Sequence, residues 1–290
     1  MLTIKGVEKL AVYADLVRFK LSIGVTLSAV TGYFIFHNKL EPSLFFLISG
    51  VFLLATGASV LNQVIERSQD IIMARTKTRP LPLEQIKPAT ALVFSVCLLS
   101  AGVIFLLFIG IVPALLGMLN VLLYNLVYTV LKRITSLAII PGAAVGAIPP
   151  LIGYTSAGGT FLQTDIILFT GFMFLWQLPH FWLIIVKYRE DYQKAGFKTF
   201  SHQITAKQIK NLIFLWVMFS TTFLVFFINT GLVFSKYLNG ALIPLNLVFI
   251  FVFYRLLYNR SGNSETRGAF IMVNSFGLLI MLLFIINAFL

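Results

Sequence analysis

Asn62-Gln-Val-Ile-Glu66-Arg67-Ser-Gln-Asp70-Ile-Ile-Met-Ala-Arg75-Thr-Lys77-Thr-Arg79-Pro80 is the stretch on which the reading of this chain turns. It lies where a long apolar run meets water, and it gathers two acids, an amide and four cations. Asn62, Glu66 and Asp70 are four residues apart. On a helix they descend one face in steps of about 6 Å, drifting about 40° each time. Ionised groups in a membrane helix are expensive, roughly 2.5–3.5 kcal/mol each at the bilayer centre, so a pair of acids at a span's end calls for a chemical role.

Working outward, the 290 residues are 59% hydrophobic and only 11% charged, the composition of an all-α polytopic membrane protein. No single soluble core of this length could hide so much apolar surface. The net charge of +12 reflects loop topology and points to no nucleic-acid partner. Cys97 is the sole cysteine, so no intramolecular disulfide forms. The opening residues lack a short apolar core followed by a cleavage site, and the first span is read as retained.

Nine apolar stretches can cross a hydrocarbon core about 30 Å thick. They are 17–37, 43–66, 88–110, 112–131, 138–156, 165–187, 210–230, 240–258 and 269–289, within one domain of residues 1–290. Gly110-Ile-Val-Pro113 predicts a tight hairpin between the third and fourth. Twenty of the 22 Lys and Arg fall on one side of these spans, leaving Lys39 and Lys236 on the other. The positive-inside rule therefore makes the N-terminus and the charged loops cytoplasmic and the C-terminus external, in the cell membrane. Loops 2–3 and 6–7 each begin with acids and continue into a basic stretch. Asp70 and Asp191 are spaced by about four spans, a weak sign of two four-helix halves plus a ninth helix.

A bare cluster of carboxylates repels an anion, and Lys and Arg alone hold one without acids. Together they fit a magnesium–diphosphate complex, because Mg²⁺ takes one or two carboxylates plus phosphate oxygens and cations neutralise the rest. Glu66 and Asp70 are the natural ligands, with Asn62 one turn deeper. Arg67, Arg75, Lys77 and Arg79 are candidates for the phosphates. The competing reading is a capped helix end followed by a solvated basic loop, although acids at a helix C-terminus oppose the dipole. In the second cluster, Lys187-Tyr188-Arg189-Glu190-Asp191-Tyr192-Gln-Lys194, Asp191 is a candidate metal ligand and Lys194 a diphosphate contact. A merely solvated loop competes there too.

Tyr124, Tyr128 and Lys132 sit at helical spacing, followed by Arg133. An interfacial aromatic belt with a snorkelling lysine explains such a pattern. The functional reading puts the phenols beside an allylic cation and Lys132 and Arg133 near diphosphate. Of the three histidines, His37 and His202 have no evident partners, whereas His180 lies inside a span, after Pro179 and between Trp176 and Trp182. Two readings stay open for it: a structural hydrogen-bonder, or an axial ligand to haem iron.

These segments together resemble the UbiA-type intramembrane prenyltransferases, in their haem-modifying branch. The first signature is Asn62/Glu66/Asp70 with Met73-Ala-Arg75-Thr76-Lys-Thr-Arg79-Pro80-Leu81-Pro82. The second runs from Tyr128-Thr-Val-Leu-Lys132-Arg133 through Gly142-Ala-Ala-Val-Gly146-Ala-Ile-Pro149-Pro150-Leu-Ile-Gly153. The third is Trp176-Gln-Leu-Pro179-His180-Phe181-Trp182 with Asp191-Tyr192-Gln-Lys-Ala195-Gly196. The resemblance implies a UbiA-like helical bundle around a lateral, lipid-open cavity. It implies Mg²⁺ as cofactor, and farnesyl diphosphate, haem B and the bilayer as partners. By the same resemblance the farnesyl group would go to a vinyl carbon of haem B and water would complete the hydroxyethylfarnesyl product, destined for a terminal oxidase. His180 would hold the haem iron, with Trp176 and Trp182 packing a porphyrin face. A contact with haem A synthase or the oxidase assembly machinery is an open expectation. One departure stands out: the broader family offers two aspartates four apart in its second motif. Here Tyr188 and Tyr192 take those positions, with Asp191 beside them. Two alternatives share the same residues: transfer to a quinone precursor or lipid, and non-enzymatic transport of haem or isoprenoid.

Overall fold

The computed structural model describes residues 6–199, 205–230, 236–258 and 263–290. His202, Lys5 and Arg260, which entered the histidine and topology arguments, lie outside them. The described residues contain helices and no strand. In a bilayer this is one of only two ways to satisfy every backbone amide. A short α1 (Gly6–Leu16) leads into α2 (Phe19–Phe36), followed by α3 (Pro42–Ile65), the one-and-a-half-turn α4 (Arg67–Ile72), α5 (Pro88–Leu107) and α6 (Ile111–Leu122). A π segment, Leu123–Tyr128, joins α6 to α7 (Thr129–Ile134). Then come α8 (Ile139–Ser156), α9 (Thr164–Lys187), α10 (Arg189–Lys194), α11 (Ala206–Thr230), α12 (Lys236–Tyr258) and α13 (Asn263–Asn287).

Eight helices among the described residues are long and apolar enough to cross a membrane, and α12 adds an apolar stretch, Leu242–Tyr258. The expected spans are thus all helical, with their ends moved by a few residues. The chain is a multi-pass membrane protein, and its outward residues are apolar as lipid requires, among them Phe45, Val96, Phe108, Leu119 and Leu247. The hairpin after α5 forms as read, with α6 beginning at Ile111. The opening α1 is a separate helix, which the span pattern alone did not reveal.

Small residues set the packing. α2 lies along α8 so closely that a Cβ on Gly153 would overlap the Ala29 carbonyl, and one on Gly32 would overlap Pro150. Helices in lipid gain dispersion energy by such close approach, since no hydrophobic force drives them together. One apolar core, from Ile139 to Phe284, joins α8, α9, α11, α12 and α13. A second joins α2, α3, α5, α6 and α8. A third, with Leu16, Val60, Leu81, Ile86 and Ala91, ties α1 and the loop after α4 to the ends of α3 and α5. That loop is therefore a folded cap on the bundle rather than a solvated strand of charge.

Candidate active site

At the end of α3 the helix does not run straight through. Glu66 takes φ −100°, ψ 9°, and α4 starts afresh at Arg67. The backbone bonds Glu66 N–H to Asn62 O (2.9 Å) and Asp70 N–H to Glu66 O (2.8 Å) carry the four-residue register across the break. Asn62, Glu66 and Asp70 are all buried, at 3%, 5% and 2% exposure, so each must find its partners inside the protein.

Those partners come from far away in sequence. Lys132 on α7 forms an ion pair with Glu66 Oε1. Arg79 Nη1 donates to Asp70 Oδ2 at 2.7 Å, while Thr76 Oγ1 donates to the Asp70 carbonyl and pins the loop beneath it. Burial lowers the Arg79 pKa and the Asp70 carboxylate opposes the shift; the guanidinium remains a cation. Asn62 Nδ2 donates to Thr129 Oγ1 at 3.0 Å, which leaves the Asn62 side-chain oxygen as the acceptor or ligand atom.

Thr129 can answer Asn62 because of the π segment. Its N–H bonds back to the Tyr124 carbonyl, five residues earlier, and its hydroxyl donates to the same oxygen at 2.8 Å. The widened turn brings the Tyr124 and Tyr128 rings into a stack, centroids 6.0 Å apart and nearly parallel at 12°. Lys132 then lies 5.0 Å from the Tyr128 ring centroid and 5.1 Å from that of Phe197. Phe197 arrives there because Gly196, at φ +76°, takes the left-handed conformation that glycine tolerates and turns the chain back over α7. Lys198 N–H closes this return on the Lys132 carbonyl.

The two charged loops meet. The Arg75 N–H donates to Asp191 Oδ2 at 3.1 Å, and the Arg75 guanidinium sits over the Tyr188 ring at 4.9 Å and the Tyr192 ring at 6.0 Å. Burial raises the Tyr192 phenol above its ordinary 10.0, and Arg75 opposes it, so the ring stays neutral. The two tyrosines standing at the aspartate positions of the second motif thus stack the Arg75 cation. Arg18, at the joint of α1 and α2 with φ 50°, lies within electrostatic reach of Arg79 and Tyr192. Reading the sequence gave it only a topological part.

Other candidates are placed elsewhere. Arg67 pairs with Glu84 on the exposed side of α4 (2.9 Å), and Arg133 donates to the Ile65 carbonyl at the end of α3 (3.0 Å). Each side chain ties neighbouring segments of the chain together. Lys77 and Lys194 are exposed at the rim. Among the described residues no three His, Cys, Asp or Glu converge, so Asp191 does not join Glu66 and Asp70 in one ligand cluster. Two carboxylates one turn apart with an amide oxygen do suit Mg²⁺, which commonly takes one or two protein carboxylates and completes its shell from substrate phosphate and water.

Deeper along α9, His180 Nδ1 is 2.9 Å from Asn274 Oδ1 on α13. The flanking tryptophans do not offer open faces. Trp176 is buried against Gly277 and donates its Nε1–H to the Val273 carbonyl, and Trp182 is buried in the core. Phe270, Phe181 and Trp176 border the His180 ring, with centroids at 5.1, 5.8 and 6.0 Å. An apolar cleft of about 430 Å³ lies between α8, α9 and α11, lined by Ala147, Ile148, Thr170, Gly171, Phe174 and Phe223.

With that geometry in hand, comparison with known proteins is specific. Residues 25–286 match the UbiA prenyltransferase family. A protein named protoheme IX farnesyltransferase from Geobacter sulfurreducens is 42% identical over 189 residues, 64% of this chain and 70% of that one. Its namesake from Bdellovibrio bacteriovorus is 31% identical over 285 residues, 94% of each. A structure described as digeranylgeranylglyceryl phosphate synthase superposes with a TM-score of 0.78 at 19% identity, covering 97% of this chain and 99% of the other. A UbiA homologue from Archaeoglobus fulgidus bound to GPP and Mg²⁺ gives 0.72 at 16% identity, over 96% and 98%. At such identities the structural likeness concerns the fold.

Proposed function

The chain belongs to the UbiA prenyltransferase family, and from that premise we infer that it is a protohaem IX farnesyltransferase working through the Glu66–Lys132 and Asp70–Arg79 cluster. Farnesyl diphosphate and haem B are the substrates, and haem O and diphosphate the products. The observation that carries this reading is the pairing of two buried carboxylates with two cations at one end of the bundle, with a histidine deeper in the same helical framework.

Glu66 and Asp70, with the oxygen of Asn62, would hold Mg²⁺. The metal supplies neutralisation of the diphosphate and of the charge it gains on leaving. Once substrate phosphates arrive, Lys132 and Arg79 are cations already in place to face them, and Arg75, fixed over Tyr188 and Tyr192, completes the shell. The C1–O bond of farnesyl diphosphate breaks and diphosphate keeps the electron pair. The terminal vinyl carbon of haem B bonds to C1, and the cation left next to the porphyrin ring takes up water, which releases a proton. The stacked Tyr124 and Tyr128 rings offer negative faces to the allylic cation and no nucleophile that would trap it. His180 holds the haem iron, because a vinyl group has no hydrogen-bonding handle and the porphyrin must be placed by other atoms. The positive-inside distribution puts this cluster on the cytoplasmic face.

The test is the haem content of membranes from cells that lack their own haem O synthesis. Expression of the protein should yield a haem heavier than haem B by a farnesyl group and a hydroxyl, detected by extraction and mass. Prenylated quinone or lipid with unchanged haem would move the activity to another acceptor. Redistribution of haem without release of diphosphate would make the protein a carrier.

A further inference from the structure

We propose that Asn274 is the positioning residue that fixes His180 in its iron-binding tautomer. The inference rests on the haem-ligand reading of His180 and adds the group that would make it work. Asn274 stands in Phe270-Ile-Met-Val-Asn274, a run of apolar residues in which an amide needs partners to be tolerated. It has two. Its Nδ2 donates to the Phe270 carbonyl, one turn back on α13, at 2.6 Å. A carbonyl only accepts, so the nitrogen end of the amide is committed to that side and the oxygen end faces the imidazole. The 2.9 Å contact with His180 then joins an oxygen that can only accept to Nδ1, which must carry the proton. Nε2 is left with the lone pair, the state in which an imidazole ligates iron.

Packing holds the ring in that register. Trp176, one turn before His180, is tied to the Val273 carbonyl at 3.0 Å, so α9 and α13 are joined at two adjacent points. Phe270, Phe181 and Trp176 border the imidazole with centroids 5.1 to 6.0 Å away. An oriented Nδ1–H partner of this kind sets both the direction and the basicity of a histidine ligand.

The experiment uses the full-length protein in detergent, titrated with ferric haem B in the absence of farnesyl diphosphate, and followed by absorbance, electron paramagnetic resonance and reduction potential. Asn274→Leu should raise the haem dissociation constant about tenfold or more. It should also blur the single-histidine signature while farnesyl diphosphate binding is kept. Asn274→Asp, nearly isosteric, should hold haem but move its potential negative, because a carboxylate makes the imidazole a stronger donor. A residue that only packs would not shift the potential. Wild-type affinity and spectrum in Asn274→Leu, or an unmoved potential in Asn274→Asp, would overturn the proposal. Should Asn274→Leu fail to fold, Asn274→Asp alone decides it. His180→Gly separates the two levels: an unchanged spectrum there removes the haem-ligand reading itself. A lost spectrum beside silent Asn274 variants removes only the role of Asn274.

Discussion

Asp70→Asn should lower haem O formation by about 10²–10³-fold, the usual loss when one preorganised charge is removed from the point where a leaving group develops its own. The amide keeps the size of the carboxylate and can still accept from Arg79 Nη1. The neighbours Thr76 and Met73 stay packed, since Thr76 bonds the Asp70 backbone and not its side chain. What disappears is the negative charge that would hold Mg²⁺ against the diphosphate. The measurement is haem O yield at saturating farnesyl diphosphate over a range of Mg²⁺ concentrations, beside a thermal melt of the same preparation. A normal melt with the lost activity supports the metal bridge. Full activity in excess chelator, in either protein, sinks it.

Lys132→Met should have the larger effect on stability. It strands Glu66, 5% exposed, without its counter-ion, and breaking one side of a buried pair costs about 3–5 kcal/mol. Adding Glu66→Gln removes the stranded charge, so the double variant should recover much of that loss. Turnover should not return with it, because both the proposed ligand and the proposed diphosphate cation are gone. Melting temperature and haem O yield, measured on the two singles and the double, separate the roles. A double variant that regains activity would reduce the Glu66–Lys132 pair to an architectural contact.

The spans, the hairpin at Gly110 and the acid ladder were legible in the sequence because each is local. Hydrophobic length, a Gly-Pro break and four-residue spacing need no partner to be seen. The completion of the site was not local. Thr129 meets Asn62 across 67 residues, Asp191 meets the Arg75 amide across 116, and Asn274 meets His180 across 94. No periodicity reports such pairs. Arg67 and Arg133 looked equal to Arg79 in type and nearness, and only their partners, Glu84 and the Ile65 carbonyl, distinguish them. The two tryptophans beside His180 looked like a porphyrin platform, but a helix turns about 100° per residue. Its motif is therefore shared between neighbours on several sides, and both indoles went into the core. The loop after α4 reads as charged, yet Met73, Thr76 and Leu81 bury themselves beneath its cations. A polar sequence with three inward anchors is a lid on the helix ends rather than a solvated tail.

The wide turn at Leu123–Tyr128 sets how this protein can vary. A segment that bonds five residues back holds one residue more than an ordinary helix would. Loss of one residue there would restore a regular helix and leave the segments on either side close to their present orientation, because the wide turn is what absorbs the extra residue. What would go is the five-back bond from the Thr129 N–H to the Tyr124 carbonyl and the stack of Tyr124 on Tyr128, in a chain whose span remained long, apolar and well formed. Single-residue deletions here would thus spare the fold and lower turnover through the phenol pair, so the length of this segment should resist drift more strictly than its apolar composition does.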